Sequence, residues 1–106
     1  MERNPSHRMF EIACLLAGAM QLCFKYRGSV TSWVRSEVHN ALVGGSPASK
    51  HLTGEAVDIV WDSLTGQPQS THSEVAPPLE DLQREARSFG ARVFRELTHD
   101  HIEVAR

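Results

Sequence analysis

The chain has 106 residues, enough for one hydrophobic core and too few for a second independent module, so residues 1–106 read as a single domain. A formal net charge of -2, with 11 Lys and Arg against 13 Asp and Glu, leaves no basic stripe for a polyanion and argues against nucleic acid as a partner. Cys14 and Cys23 lie in one apolar segment, too far apart along a helix to bridge and without the close pairing of a structural zinc site. They read as buried free thiols, and any metal must then take His and carboxylate ligands.

Asn4 and Pro5 supply an N-cap and a first-turn proline for a helix whose apolar body is Ile12 to Phe24, and Lys25, Arg27 and Gly28 form its stop. A signal peptide cut near Ala17-Gly18-Ala19 is the competing reading, but Glu2 and Glu11 interrupt the basic flank. The apolar run is also too short to span a bilayer, so neither export by this segment nor stable membrane insertion is expected. Ser29 to Val34 suggests a strand running into Arg35; Ser36 caps a short helix, Glu37 to Val43, closed by Gly44-Gly45. Residues 46–49 read as a surface loop, and Ala56 to Trp61 as a buried strand interrupted by Asp58. A carboxylate in such a strand needs a partner.

From Asp62 to Pro77 the chain is polar and aperiodic, a long loop of the kind that borders functional clefts. Pro78 opens a helix over 79–89, ended by Gly90, and Arg92 to Ala105 forms one bent strand or a hairpin turning near 98–100. The pattern predicts an α+β fold: a small, mainly antiparallel sheet with flanking helices, in which the strands at 56–61 and 101–105 are neighbours.

Two stretches carry chemistry. Ser49 to Ile59 has the form S-x-H-x-x-G-x-A-x-D-I: His51 precedes a turn, Gly54 lets the chain reverse, and Asp58 projects from the following strand with small Ala56 on its own face. Near the end, Glu96 to Glu103 (ELTHDHIE) places His99, His101 and Glu103 on one face if it is extended. His7, His39 and His72 read as ordinary surface residues.

Together these stretches resemble the zinc peptidases that include the VanY-type D,D-carboxypeptidases, the VanX-type D,D-dipeptidases and the L-alanyl-D-glutamate phage endolysins, which share the hedgehog-type fold. The resemblance runs from Ser32 to Ile59 and resumes at HDHIEV, His99 to Val104. By position it implies that His51, Asp58 and His101 coordinate Zn2+, an open three-ligand set of the catalytic kind. His99 matches the first histidine of an H-x-H near the metal that can assist catalysis. Arg35, in SWVRS, matches the arginine of S-G-Y-R-S that faces the substrate, although Trp33 and Val34 stand where the family carries Gly and Tyr.

Many members place an acid three residues before the last metal histidine as general base, and here that position is Thr98. Glu96 lies three before His99 and five before His101: a hairpin turn at 98–100 would bring it to the metal, whereas in one regular strand it would point to the opposite face. Glu96 is the expected base, with His99 second. The resemblance implies hydrolysis of peptidoglycan stem peptides, at D-Ala-D-Ala or L-Ala-D-Glu. The alternative is a non-catalytic zinc-binding module of the same fold, such as a phage virion component. A phage or prophage product, made in the cytoplasm and reaching the wall through a lysis or virion assembly, fits either reading.

Overall fold

The computed structural model describes residues 4–62 and 76–105, together with the backbone of residues 68–69. Helix α1, Pro5–Tyr26, begins where Asn4 accepts a hydrogen bond from the His7 amide at 3.0 Å and Pro5 fills a position whose missing N–H costs nothing. It ends at Arg27, which takes the left-handed conformation itself (φ 60°). Gly28, the expected stop, instead opens strand β1, Gly28–Ser32, where a Cβ would come within 2.7 Å of the Trp61 ring. Glycine is there for close packing. At 22 residues α1 is, by length and composition, long and apolar enough to cross a membrane, unlike the shorter run read from the sequence. Its Leu15, Ala19 and Leu22 belong to the core. Cys14 and Cys23 are free, as expected, but only half-buried.

Strand β1 stops two residues short of Val34, after a register shift between Val30 and Ser32. Ser36 accepts from the His39 amide at 3.0 Å and caps α2, Glu37–Leu42. Ser49 caps a 3-10 helix, Lys50–Thr53, that the sequence reading passed over. Gly54 closes this turn at φ 80°, the left-handed region that the proposed chain reversal needs. Strand β2, Ala56–Asp62, then crosses the middle of the molecule, and β3, Pro68–Gln69, pairs with its last residues inside the stretch read as loop. The loop expectation for 63–67 and 70–75, and His72 with it, lies outside the described residues.

Helix α3, Leu79–Ser88, buries Leu82 and Ala86, and β4, Ala91–Arg95, forms a hairpin with β5, Asp100–Val104. The turn spans 96–99 rather than 98–100: Arg95 pairs with Asp100, and the Glu96 amide donates to the His99 carbonyl at 2.9 Å. The antiparallel order is β1-β2-β5-β4, so the two ligand-bearing strands are neighbours, as expected for an α+β fold.

Alternation along the strands divides the sheet into two faces. Val57, Ile59, Trp61, Val93, Ile102 and Val104 pack with α1 and α3 in one core. Asp100 is fully buried on this side and accepts from Trp61 Nε1 at 2.9 Å and from Arg95 Nε and Nη2 at 2.9 Å each. That forked ion pair pins the base of the hairpin, with Arg95 Nη2 also donating to the Pro77 carbonyl at 2.8 Å. The other face carries Ala56, Asp58, His101 and Glu103.

Candidate metal centre

On that second face the register sets Asp58 directly across from His101, and Ala56 across from Glu103. The 3-10 helix delivers His51 from the side, held by its Ser49 cap and by the Arg35 amide, which donates to the His51 carbonyl at 2.9 Å. His51 and Asp58 are buried and His101 half-buried, and one ligand atom from each lies within 4.8 Å of the others. The three residues expected to bind metal are therefore brought together.

The surrounding contacts bear on which nitrogen each imidazole presents. His51 Nδ1 lies 2.8 Å from the Trp33 carbonyl, which can only accept, so Nδ1 carries the hydrogen and Nε2 the lone pair. His101 lies between two carboxylates, its Nε2 2.9 Å from Glu103 Oε1 and its Nδ1 3.1 Å from Asp58 Oδ1; when Nε2 donates to Glu103, Nδ1 presents its lone pair. Those two lone pairs converge on Asp58 Oδ1, each at 3.1 Å. With neutral rings, three acceptors face one another without a hydrogen between them. A cation relieves this arrangement, and so does protonation of a ring.

The spacing suits zinc: tetrahedral bonds of about 2.0–2.1 Å separate neighbouring donors by roughly 3.3 Å. Electrostatics agree. Burial pushes the Asp58 carboxyl up, but hydrogen bonds with His101 and His51, and the charges of His51 and His99, outweigh it and hold the group well below the usual carboxylate range. The Asp58 hydrogen bond pushes the His101 imidazolium up against the opposing effect of burial, and Glu103 adds to the rise.

A second layer supports the ligands. Burial raises Glu103, but Lys50, Arg92 and His101 hold its carboxyl down at about 2. Lys50 Nζ is 2.8 Å from Glu103 Oε2, and Arg92 Nε and Nη2 are 3.1 and 2.9 Å from the same oxygen. Trp33 is held in turn by its indole N–H, which donates to the Gly54 carbonyl at 2.7 Å. Sequence reasoning missed the roles of Glu103, Lys50 and Trp33. Its own alternation of His99, His101 and Glu103 was the available signal for the first.

His99 is brought to the edge of the centre, with Nε2 3.6 Å from Asp58 Oδ1 and Nδ1 3.0 Å from Thr98 Oγ1. Glu96, exposed at the hairpin tip, falls across from His99 and continues the face of Arg92 and Phe94, which pair with Glu103 and His101. The opposite-face geometry of a single strand is thereby corrected. Arg35 sits inside the support layer: Nη1 donates to Asn40 Oδ1 at 3.0 Å, Nη2 donates to Ser32 Oγ at 3.2 Å, and Nη2 lies 3.7 Å from Asp58 Oδ2. Its side chain is largely buried beside Asp58. His7 and His39 are exposed, as expected.

Two imidazoles and one carboxylate turned toward one point of an antiparallel sheet make a candidate metal centre of the three-ligand kind. The peptidase M15 family model matches residues 10–102, and the chain belongs to that family. No curated protein and no solved structure matches it significantly.

Proposed function

We propose that the protein is a zinc peptidase that hydrolyses peptide bonds in the stem peptides of bacterial peptidoglycan. The observation that carries this reading is the convergence of His51 Nε2, Asp58 Oδ1 and His101 Nδ1 at 3.1 Å spacings in a chain of the M15 family. His51, Asp58 and His101 would hold the ion, and zinc bound there supplies Lewis acidity toward the scissile carbonyl and an activated water.

The remaining work falls to the chain's own side chains. Glu103 and the Trp33 carbonyl keep the two imidazoles in the ligand tautomer. Arg35 places a positive charge 3.7 Å from Asp58 Oδ2. Glu96, on the face shared by His101, is the proton acceptor that passes the proton to the leaving amine. His99, beside Asp58, orients the substrate carbonyl or stabilises charge on it. D-Ala-D-Ala and L-Ala-D-Glu bonds are both within this chemistry.

Digestion of purified muropeptides by the zinc-loaded protein tests the proposal, with new amino groups counted and products separated by mass. Turnover that disappears in Glu96→Gln, while zinc content is kept, supports Glu96 as the base. Wild-type turnover in Glu96→Gln together with loss in His99→Ala transfers that role to His99. Stoichiometric zinc without cleavage of any muropeptide identifies a binding module instead.

A further inference from the structure

The outward face of α1 serves neither the core nor the metal centre. Phe10, Ala13, Ala17, Met20 and Phe24 recur along it at intervals of three and four residues, and all are exposed: Phe10 by 71%, Met20 by 54% and Phe24 by 87%. Alternating steps of three and four keep these residues on one face of the helix, the spacing also of a helix-packing seam. At 100° per residue the charged residues of α1, Arg8, Glu11 and Lys25, all fall off this stripe. A stripe this apolar on the outside of a core helix marks an interaction surface.

The stripe is complementary to itself when turned end for end. Set Ala13 of one helix against Phe24 of a second copy running the opposite way, and Ala17 falls against Met20, Met20 against Ala17, and Phe24 against Ala13. Every layer then joins one small residue to one large one, the condition for close packing without voids or overlap. In the same register Phe10 lies level with Arg27 of the other copy, where a cation can sit over its ring. A parallel pair would instead oppose alanine to alanine and phenylalanine to phenylalanine, bring Lys25 and Arg27 of both copies together, and align the helix dipoles.

Covering Phe10, Met20 and Phe24 at their observed exposures removes roughly 420 Å² of surface per copy, or about 850 Å² for the pair, if each side chain spans about 200 Å². The alanines and flanking positions add to this, and the total stays in the range below about 1,200 Å² typical of weak, transient association, so the area suits a reversible dimer.

We propose that two copies of the chain associate through α1 as an antiparallel pair, leaving both metal centres on the far side of their sheets. Sedimentation equilibrium of the full chain at about 100 μM tests this. The expected mass is twice that of the 11.8 kDa chain, falling to a single chain in Ala17→Glu. Ala17→Met and Met20→Ala each weaken the dimer at least about tenfold, by overfilling or emptying a layer, and the double variant restores it to within about threefold because each layer regains one small and one large residue. Circular dichroism and zinc content matching the wild type show that the variants are folded. A wild type that stays monomeric, including one that co-floats with phosphatidylglycerol vesicles, overturns the proposal; so does a dimer that survives Ala17→Glu or a double variant no better than the singles.

Discussion

Replacing Glu103 tests whether the carboxylate behind the metal ligands matters as much as its geometry implies. Its Oε1 receives the His101 Nε2 hydrogen at 2.9 Å, and its Oε2 is held by Lys50 at 2.8 Å and Arg92 at 2.9 Å, so the acceptor is both charged and immobilised. Removing partners of this kind typically costs 10- to 100-fold in metal affinity, or roughly 1.4–2.7 kcal/mol. Glu103→Gln keeps an oxygen for His101 but loses the charge that strengthens the bond, which places it near the tenfold end. Glu103→Ala also lets His101 turn and should approach 100-fold. Competition against a chelator of known zinc affinity measures both, with melting of the metal-free variants as the control for folding. Wild-type zinc affinity in Glu103→Ala would refute the reasoning, because it would mean that the tautomer and orientation of His101 are set elsewhere.

Asp58→Ala removes one of three donors and should lose zinc altogether, along with the stabilisation of roughly 2.7 kcal/mol that zinc at 100 times its Kd confers on the wild type; elemental analysis and paired melting curves check both. The pH dependence has a definite sign. The folded-state pKa of His101 lies above its ordinary 6.5, so its contribution to the metal-free protein is complete below 6.5 and is lost as pH rises through the raised value. Glu103, depressed from 4.5 to about 2, contributes above 4.5 and loses that contribution as pH falls toward 2. Zinc needs neutral imidazoles, so the gain in Tm on adding zinc should be larger at pH 8 than at about pH 5; the reverse order would contradict the ligand set. In the core, Trp61→Phe strips a hydrogen bond from fully buried Asp100 and should cost roughly 1–3 kcal/mol in a denaturant titration, without changing zinc affinity.

Much of the centre was legible because its parts are local. The turn at His51, the reversal at Gly54 and the carboxylate of Asp58 fall within eight residues, and Asn4, Ser36 and Ser49 cap helices through contacts two or three residues away. What escaped depends on pairing between distant segments. Whether residues 92–105 form one bent strand or a hairpin decides whether Glu96 lies across from His99 or on the far face, and that depends on the pairing of β4 with β5. Asp100 looked like part of a polar motif, yet it is the most buried acid in the chain's described residues, because Trp61 and Arg95 arrive from two other strands. The contact of Arg35 with Asp58 likewise joins segments 23 residues apart and shows in no local spacing.

Crystals of the zinc-loaded protein measured on both sides of the zinc absorption edge test the central claim most directly. The account predicts one anomalous peak per chain, about 2.0–2.2 Å from His51 Nε2, an Asp58 carboxylate oxygen and His101 Nδ1, with His101 Nε2 still turned toward Glu103. A peak elsewhere, a peak bound through His101 Nε2, or none at full zinc occupancy in solution would contradict it.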